Sequence, residues 1–420
     1  MMAVLRLAAL SAWSRRLTLG LTLVAIALAS TLLLAVERIR VDARQSFSQS
    51  VSGVDLVVGA RTGAVQLMLY AVFHSGAASN NIGWTSYEAI AAHPAVDWAV
   101  PLSLGDSHRG FAVLGTRADY FRHFRFGERE ALRFAAGGPF AGVFEAVVGS
   151  EVARRLAYSV GGEITLSHGL GDTEMGEHGD KPFRIVGVLA PTGTPVDRTV
   201  HVGLEAITAL HLDWVGGAPV KGLSIPPQLV AKFDLRPKEI TAALVGLKQR
   251  GDVFRMQRFI NEFRGEPLLA VLPGVALDEL WQAIGTVERT LLAISALVVI
   301  VGLAGLTATL LAGLNERRRE LAILRALGAG PRDLFLMLTT EGLLVTTLGA
   351  LLGLALTSLG GSLAAPWLLE RFGIVLGARL PGAGELELLA LVIATGLIAS
   401  LIPGWRAWRM SLADGLTPRT

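Results

Sequence analysis

The 420 residues include no cysteine. That absence excludes disulfides, thiolate metal sites and cysteine nucleophiles together, and it suits a part that faces an oxidising compartment. Charge is scarce too: Asp, Glu, Lys and Arg make up 17% of the chain against 52% hydrophobic residues, and mean hydropathy is +0.51. Such a balance lies outside the range of soluble globular proteins. The signatures of chemistry are missing as well. No G-x-x-x-x-G-K-[ST] phosphate cradle, no G-x-S-x-G elbow and no H-E-x-x-H pair occurs, so the chain offers neither a catalytic residue nor a cofactor site of those kinds. The net charge is +3 and the pI near 9.4, but Lys and Arg are interleaved with Asp and Glu along the polar stretch. No nucleic-acid partner is expected from that pattern.

What is present is a set of long apolar runs. Leu17 to Val36, Leu291 to Leu314, Leu334 to Leu359 and Leu386 to Ile402 approach or exceed the roughly 20 residues that a helix needs to cross a hydrocarbon core of about 30 Å. The expected fold is a membrane protein with four transmembrane helices, split one plus three, and a large α+β extracytoplasmic domain on a helical stalk. The segments read as a cytoplasmic N-terminus at 1–16, spans at 17–36, 289–314, 334–365 and 386–404, and an extracytoplasmic region at 37–288. A cytoplasmic coupling segment at 315–333, a short outer loop at 366–385 and a cytoplasmic tail at 405–420 complete the order.

Arginine sets the orientation, because positive residues stay on the cytoplasmic side. Arg6, Arg15 and Arg16 precede the first span; Arg317, Arg318, Arg319, Arg325 and Arg332 crowd between the second and third; Arg406, Arg409 and Arg419 follow the fourth. In the 366–385 loop, Arg371 and Arg379 are balanced by Glu370 and Glu385. A competing reading takes "SRRLTLG" and "ALAS" as a cleaved twin-arginine signal, and it leaves the remaining topology unchanged.

Between the first two runs the periodicity shortens. "GVDLVVGA", "AVDWAVPLSL", "RGFAVLGT", "KPFRIVGVLA" and "RTVHVGL" read as strands, the second and third joined by a turn near Gly105 and Asp106. "TSYEAIAAH" opens a helix with Thr85 and Glu88 at capping-box spacing, "AVVGSEVARRL" is a strand turning into a helix, and "KEITAALVGLKQR" reads as a helix with Pro237 in its first turn. "GTPVD" around Pro195 reads as a rigid turn. Two stretches carry double readings. "SHGLGDTEMGEHGDK" is a solvated glycine-rich loop or a metal site, with His168 and His178 as candidate ligands. Leu67 to Phe73 is a buried helix or an apolar surface for lipid, lipidated substrate or partner.

The stretch "NERRRELAILRALGAGPRDLFLMLTTEGLLVTTLGALLG" resembles the signature of the FtsX/MacB-like ABC permeases, which include the lipoprotein-releasing type. The likeness extends to "IPGWRAWRMSLADGLTPR", "VVGSEVARRL" and "GTPVDRTVHV". It implies an FtsX-like domain at about 289–412 and a MacB-like periplasmic domain, in a bacterial inner membrane. It also implies a coupling helix formed by Glu316, Arg317, Arg318, Arg319, Glu320, Leu321, Leu324, Arg325, Gly328 and Ala329 that docks on a separate cytoplasmic ATPase. Leu321, Leu324 and Leu327 would supply its apolar contacts, Gly328 and Gly330 its end, and Pro331 the restart. Glu341 is an intramembrane carboxylate, and Gly349 and Gly353 have the small-xxx-small spacing of close helix contacts, within the chain or across a dimer. The implied partners are the ATPase, a second permease copy, membrane lipid and a periplasmic or outer-membrane protein. The implied work is mechanical, on a lipoprotein, lipid or peptide-type substrate; the alternatives are activation of a cell-wall hydrolase and a part in metal (zinc) handling.

Overall fold

The computed structural model describes residues 16–76, 78–168, 175–177, 179–215, 218–219, 225–230, 232–316, 318–326, 328–372 and 380–409. The chain divides into two compact units, 44–283 and the combination of 1–43 with 284–420.

The 44–283 unit is built on one long mixed sheet. Its path strands in chain order are β1 Leu56–Ala60, β2 Val96–His108, β3 Phe111–Thr116, β4 Phe134–Gly137, β5 Glu145–Val148, β6 Phe183–Leu189, β7 Thr199–Gly203, β8 Ala242–Leu247 and β9 Leu268–Val271. They lie in the order β9-β1-β8-β2-β3-β7-β5-β6-β4, with β7 parallel to β3 and β6 parallel to β5. The 13 residues of β2 are enough to serve two neighbours. Val96 to Leu102 pairs with β8, and Ser103 to His108 with β3.

Helices cover the sheet where its residues alternate. On one face, Leu56, Val58 and Val245 pack with Tyr87 and Ile90 of a helix at Trp84–Ala91 and with Met256 and Ile260 of one at Val253–Asn261. Farther along, Val148, Ile185 and Val202 pack with Val152 of a helix at Ser150–Leu156 and Leu210 of one at Leu204–Leu210. The helix at Ala64–Ala71 carries Leu67, Met68 and Tyr70 onto Val57, Val100 and Leu244, in a cluster that continues to Tyr120, Phe121 and Phe140. The Leu67 to Val72 run is therefore core, and its reading as an apolar contact surface is overturned.

Three other expectations change. "KEITAALVGLKQR" contains strand β8, not a helix: all six of its residues are buried between β1 and β2, and a strand covered on both faces shows no alternation to read. The β2–β3 turn falls at Arg109 and Gly110, whose φ values of +48° and +79° suit a two-residue hairpin. Gly105 and Asp106 sit instead at a register shift inside the pairing. Thr85 does not cap its helix. Gly83 is the N-cap residue, its N–H bonded at 3.0 Å by Glu266, while Glu88 accepts from Trp84 Nε1.

"GTPVD" is the rigid turn expected. The Asp197 carboxylate accepts the N–H groups of Thr192 and Gly193 at 2.9 and 2.7 Å and the Thr192 hydroxyl at 3.0 Å. Gly149 lies so close that a Cβ there would strike the carbonyls of Val196 and Asp197, so the "VVGSEVARRL" and "GTPVDRTVHV" stretches are fitted to each other by a missing side chain.

The other unit consists of α1 Arg16–Gln49, α2 Pro273–Glu316, α3 Arg318–Ala326, α4 Pro331–Phe372 and α5 Ala383–Arg409, the first two extending beyond its limits. All but α3 are long and apolar enough to cross a membrane. Both α1 and α2 outrun the spans read from hydropathy, α1 by continuing to Gln49 and α2 by starting at Pro273. Contacts between Gly349 and Ile26 and between Gly353 and Ser30 make α4 parallel to α1. The pairings of Gly342 with Ser400 and Gly396 with Thr346 make α5 antiparallel to α4.

Two buried histidines make the 44–283 unit sensitive to acid. The Thr199 hydroxyl donates to the Pro195 carbonyl at 2.9 Å and so accepts from His74 Nδ1 at 2.8 Å. His201 packs 5.5 Å from the Tyr120 ring and 5.6 Å from that of Phe121. Burial lowers His74 to about 4; burial, with His74 nearby, lowers His201 to about 3. An unfolded histidine titrates near ~6.5. Because the folded values are depressed, the stability is present above that pH and is lost as pH falls toward the folded values, by about 1.4 kcal/mol per pH unit for each histidine. Urea unfolding of a 44–283 fragment between pH 7 and 5 should show this loss, and His201→Phe should remove about half of the slope; an unchanged slope would exclude His201 as its source.

Candidate coupling site

Helix α3 is fixed at both ends by local chemistry. Gly328 has φ +101°, a left-handed conformation open to glycine. The chain there folds back so that the Ala329 N–H reaches the Leu324 carbonyl at 3.0 Å and the Gly328 N–H the Arg325 carbonyl at 3.1 Å. This is the Schellman termination, which satisfies carbonyls that a helix end leaves open. Pro331 then starts α4, and Asp333 in its first turn accepts the Gly330 N–H at 2.7 Å.

Leu321 is 3% exposed and packs with Leu314 of α2, Leu334 and Leu338 of α4 and Ala407 of α5, with Leu324 alongside. Both leucines are thus used to seat α3 on the ends of three long helices. The apolar residue that α3 turns outward is Ile323, 60% exposed. Sequence reading passed over it because it stands off the 321/324 spacing. Glu316 is exposed, Arg325 and Ala329 are half-buried, and Gly328 is exposed. Arg318, Arg319 and Glu320 lie on α3, while Arg317 and Leu327 fall outside the described residues.

The long helices meet along seams of small residues. A Cβ on Gly353 would lie 2.7 Å from Ser30 Cβ and 2.8 Å from the Ala27 carbonyl, and one on Gly349 would lie 2.9 Å from Ile26. The pair therefore packs α4 on α1 within the chain. The Thr357 hydroxyl donates to the Gly353 carbonyl of its own helix at 2.9 Å and lies 3.4 Å from the Thr31 carbonyl across that seam. On the opposite side Gly342, Gly396 and Gly404 leave room for Ser400, Thr346 and Thr339. Glu341, ten residues into α4, is 5% exposed.

At the far end from α3 is a charged cluster that sequence reading missed. Arg38 Nε of α1 lies 3.9 Å from Glu385 Oε1 of α5, with the two side chains 6% and 3% exposed. Glu385 Oε2 also accepts the Gly382 N–H at 2.7 Å and caps α5. Glu37 holds Arg40 by two bonds of 2.8 and 3.0 Å and lies 2.9 Å from where a Gly384 Cβ would stand. The local balance of Glu385 with Arg371 and Arg379 gave no signal of a partner 347 positions earlier in the chain.

His168 ends a two-residue strand at Ser167–His168, and His178 lies outside the described residues. Among the described residues no group of three or more His, Asp or Glu side chains could hold a metal ion.

Residues 292–412 match the FtsX-like permease C-terminal domain and residues 19–220 the MacB-like periplasmic core domain. The chain belongs to the FtsX/MacB-like ABC permeases. The pyoverdine export ATP-binding/permease protein PvdT of Pseudomonas entomophila (strain L48) is 24% identical over 339 residues, which cover 77% of this chain and 45% of that protein. The macrolide export ATP-binding/permease protein MacB of Brucella abortus (strain 2308) is 31% identical over 239 residues, 56% of this chain and 33% of that one. The matched chain thus spans less than half the length of either relative. The solved periplasmic region of MacB from Actinobacillus actinomycetemcomitans aligns with a TM-score of 0.34 and 10% identity, over 56% of this chain and 94% of that one. In this permease the FtsX-like match takes in α3, both of its flanking spans and the Ala407 contact.

Two outcomes test the geometry of the bundle. Gly353→Leu should destabilise the detergent-solubilised chain by about 1–3 kcal/mol, read as a fall in melting temperature, whereas Gly360→Leu, with nothing within 4 Å of its Cβ position, should not. Glu385→Ala should cost about 1–3 kcal/mol by removing both the contact with the buried Arg38 and the Gly382 cap, and Arg38→Met combined with Glu385→Leu should cost less than the sum of those two single changes. Additive losses in the double variant would mean that the pair does not interact.

Proposed function

We propose that this permease is driven through α3 by an ATP-hydrolysing domain that these 420 residues do not contain. The observation that carries the reading is the seat of Leu321 among Leu314, Leu334, Leu338 and Ala407. A push on a helix so anchored acts on α2, α4 and α5 at once. The exposed Ile323, together with Glu316, Arg317, Arg318, Arg319, Glu320 and Arg325, would supply the apolar contact and the charge complementarity to the ATPase. The glycine stop at Gly328 and the proline restart keep α3 short enough to move as one piece.

The topology we assign has both termini and α3 in the cytoplasm of a bacterium and the 44–283 unit outside the inner membrane. Support comes from the arginine distribution and from helix direction, since α1 and α4 run parallel and α5 antiparallel to them, as spans entering alternately from the two sides must. Helix α2 continues without a break from Glu316 to Pro273, so it supplies a stiff path from α3 toward the 44–283 unit. That unit would act on a lipoprotein, lipid or peptide-type substrate or on a periplasmic or outer-membrane partner. The exposed Leu291, Ile294, Leu297 and Val301 of α2 are assigned to lipid and to a second copy of the chain.

The decisive experiment reverses charge at α3. The Arg317→Glu, Arg318→Glu, Arg319→Glu chain, checked for insertion by protease accessibility, should lose affinity for the ATPase by about tenfold or more and should no longer stimulate ATP hydrolysis. Wild-type affinity and stimulation in a correctly inserted variant would overturn the coupling role.

A further inference from the structure

The 44–283 unit has an open cleft of about 640 Å³ between the helix at Trp84–Ala91, the first half of β2 and the turn at Tyr120–His123. Its walls are aromatic. Trp98 lies over Gly246, where a Cβ would fall on the indole, and stacks on His123 with centroids 4.8 Å apart and an 18° tilt. Trp84 leans on Tyr87 at 4.8 Å. The polar handles of the second pair are already used: Trp84 Nε1 donates to Glu88 at 2.9 Å and the Tyr87 hydroxyl to the Ala99 carbonyl at 2.8 Å.

The charge in the cleft is one-sided. Glu88, Asp97 and Asp119 line it against Arg117 alone, and burial holds His123 below its ordinary range, toward the neutral form. Arg117 is committed, donating to Asp119 Oδ2 at 2.7 Å and to the Ala99 carbonyl at 2.9 Å. Asp119 Oδ1 has no hydrogen-bond donor among the described residues, and Glu88 and Asp97 stand exposed. Arg122 and Arg125, which also act on His123, are not among the lining residues. Three carboxylates against one occupied guanidinium repel anions, and the indole of Trp84 beside Glu88 attracts cations that have shed part of their water. The volume is that of a small-molecule site.

We propose that this cleft binds a small organic cation, a protonated amine carried on a planar or ring-shaped apolar body, with Glu88 and Asp97 facing the charge and Trp84 the ring. The inference is independent of the coupling role, since it needs neither ATP nor an ATPase.

The test uses the full chain in nanodiscs of zwitterionic lipid, with empty nanodiscs subtracted, and two dyes that share a xanthene ring: rhodamine 6G, a cation, and sulforhodamine B, an anion. Rhodamine 6G anisotropy should rise saturably and sulforhodamine B should show no saturable rise. Glu88→Gln with Asp97→Asn should weaken rhodamine 6G by about tenfold or more, with the melting temperature unchanged because both side chains are exposed. Trp84→Leu should weaken it as well. The proposal is overturned if rhodamine 6G does not bind saturably, if both dyes bind alike, or if the Glu88/Asp97 variant keeps wild-type affinity.

Discussion

The bundle depends on a steric constraint: α4 approaches α1 and α5 more closely than a side chain at Gly342, Gly349, Gly353, Gly396 or Gly404 would allow. Between lipid-soaked helices there is no hydrophobic gain in replacing lipid by leucine, so association rests on packing and on hydrogen bonds that close approach permits. Gly349 and Gly353 admit Ile26 and Ser30, while Gly342, Gly396 and Gly404 admit Ser400, Thr346 and Thr339. Each seam leaves hydroxyls beside carbonyls, as with Thr357 and Thr31. A bundle locked in this way resists bending, so a push on α3 of the kind proposed would be passed on rather than absorbed. Leu321 would have little effect on α2, α4 and α5 if those helices could deform around it.

The two ends of the bundle are finished differently, and the difference follows from what each must do. Near α3 the contacts are aliphatic: Leu314, Leu321, Leu334, Leu338 and Ala407. Such contacts are non-directional. At the other end the contacts are ionic and capped, with Glu385 shared between Arg38 and the Gly382 N–H and Glu37 holding Arg40. Buried charges hold one geometry and lose heavily when separated. The bundle is therefore closed by shape at the α3 end and by charge where α1 leaves it.

Much of this architecture was legible in the sequence, and the physics says which part. Long apolar runs report spans because lipid demands them, and the Gly328-to-Pro331 stretch announced a helix stop because few other residues adopt φ +101°. Short apolar runs bounded by turn residues disclosed most strands of the 44–283 unit, β1 and β7 among them although every residue of both is buried. That reading failed for β8, where "AALVGL" is buried on both faces and follows a proline placed as if to start a helix. Thr85 was misread because capping-box spacing is a local pattern, whereas the N-cap is Gly83, whose N–H is held by Glu266, 183 residues along the chain. Arg38 with Glu385, and Leu321 with Ala407, were invisible for the same reason: local spacing carries no information about which distant residue a fold brings near. Helix α3 was legible in the sequence through its glycine stop and proline restart, but the placement of its leucines on the inside and Ile323 on the outside required the packing.

The same distinction bears on where specificity in this permease can reside. Residues that seat α3 or close the helix seams are constrained by neighbours within the chain, so a change of cargo cannot readily be written into them. The 44–283 unit is different, because the acidic residues of its cleft take no part in the core: the hydrophobic clusters take in Tyr87 and Ala99, with Trp84 and Trp98 packed against them, but neither Glu88 nor Asp97. Glu88 and Asp97 lie outside those clusters and can vary at little cost to folding. The proposed transmission of force through α3 and the proposed choice of what the cleft holds would then rest on different residues, so that either could change without loss of the other.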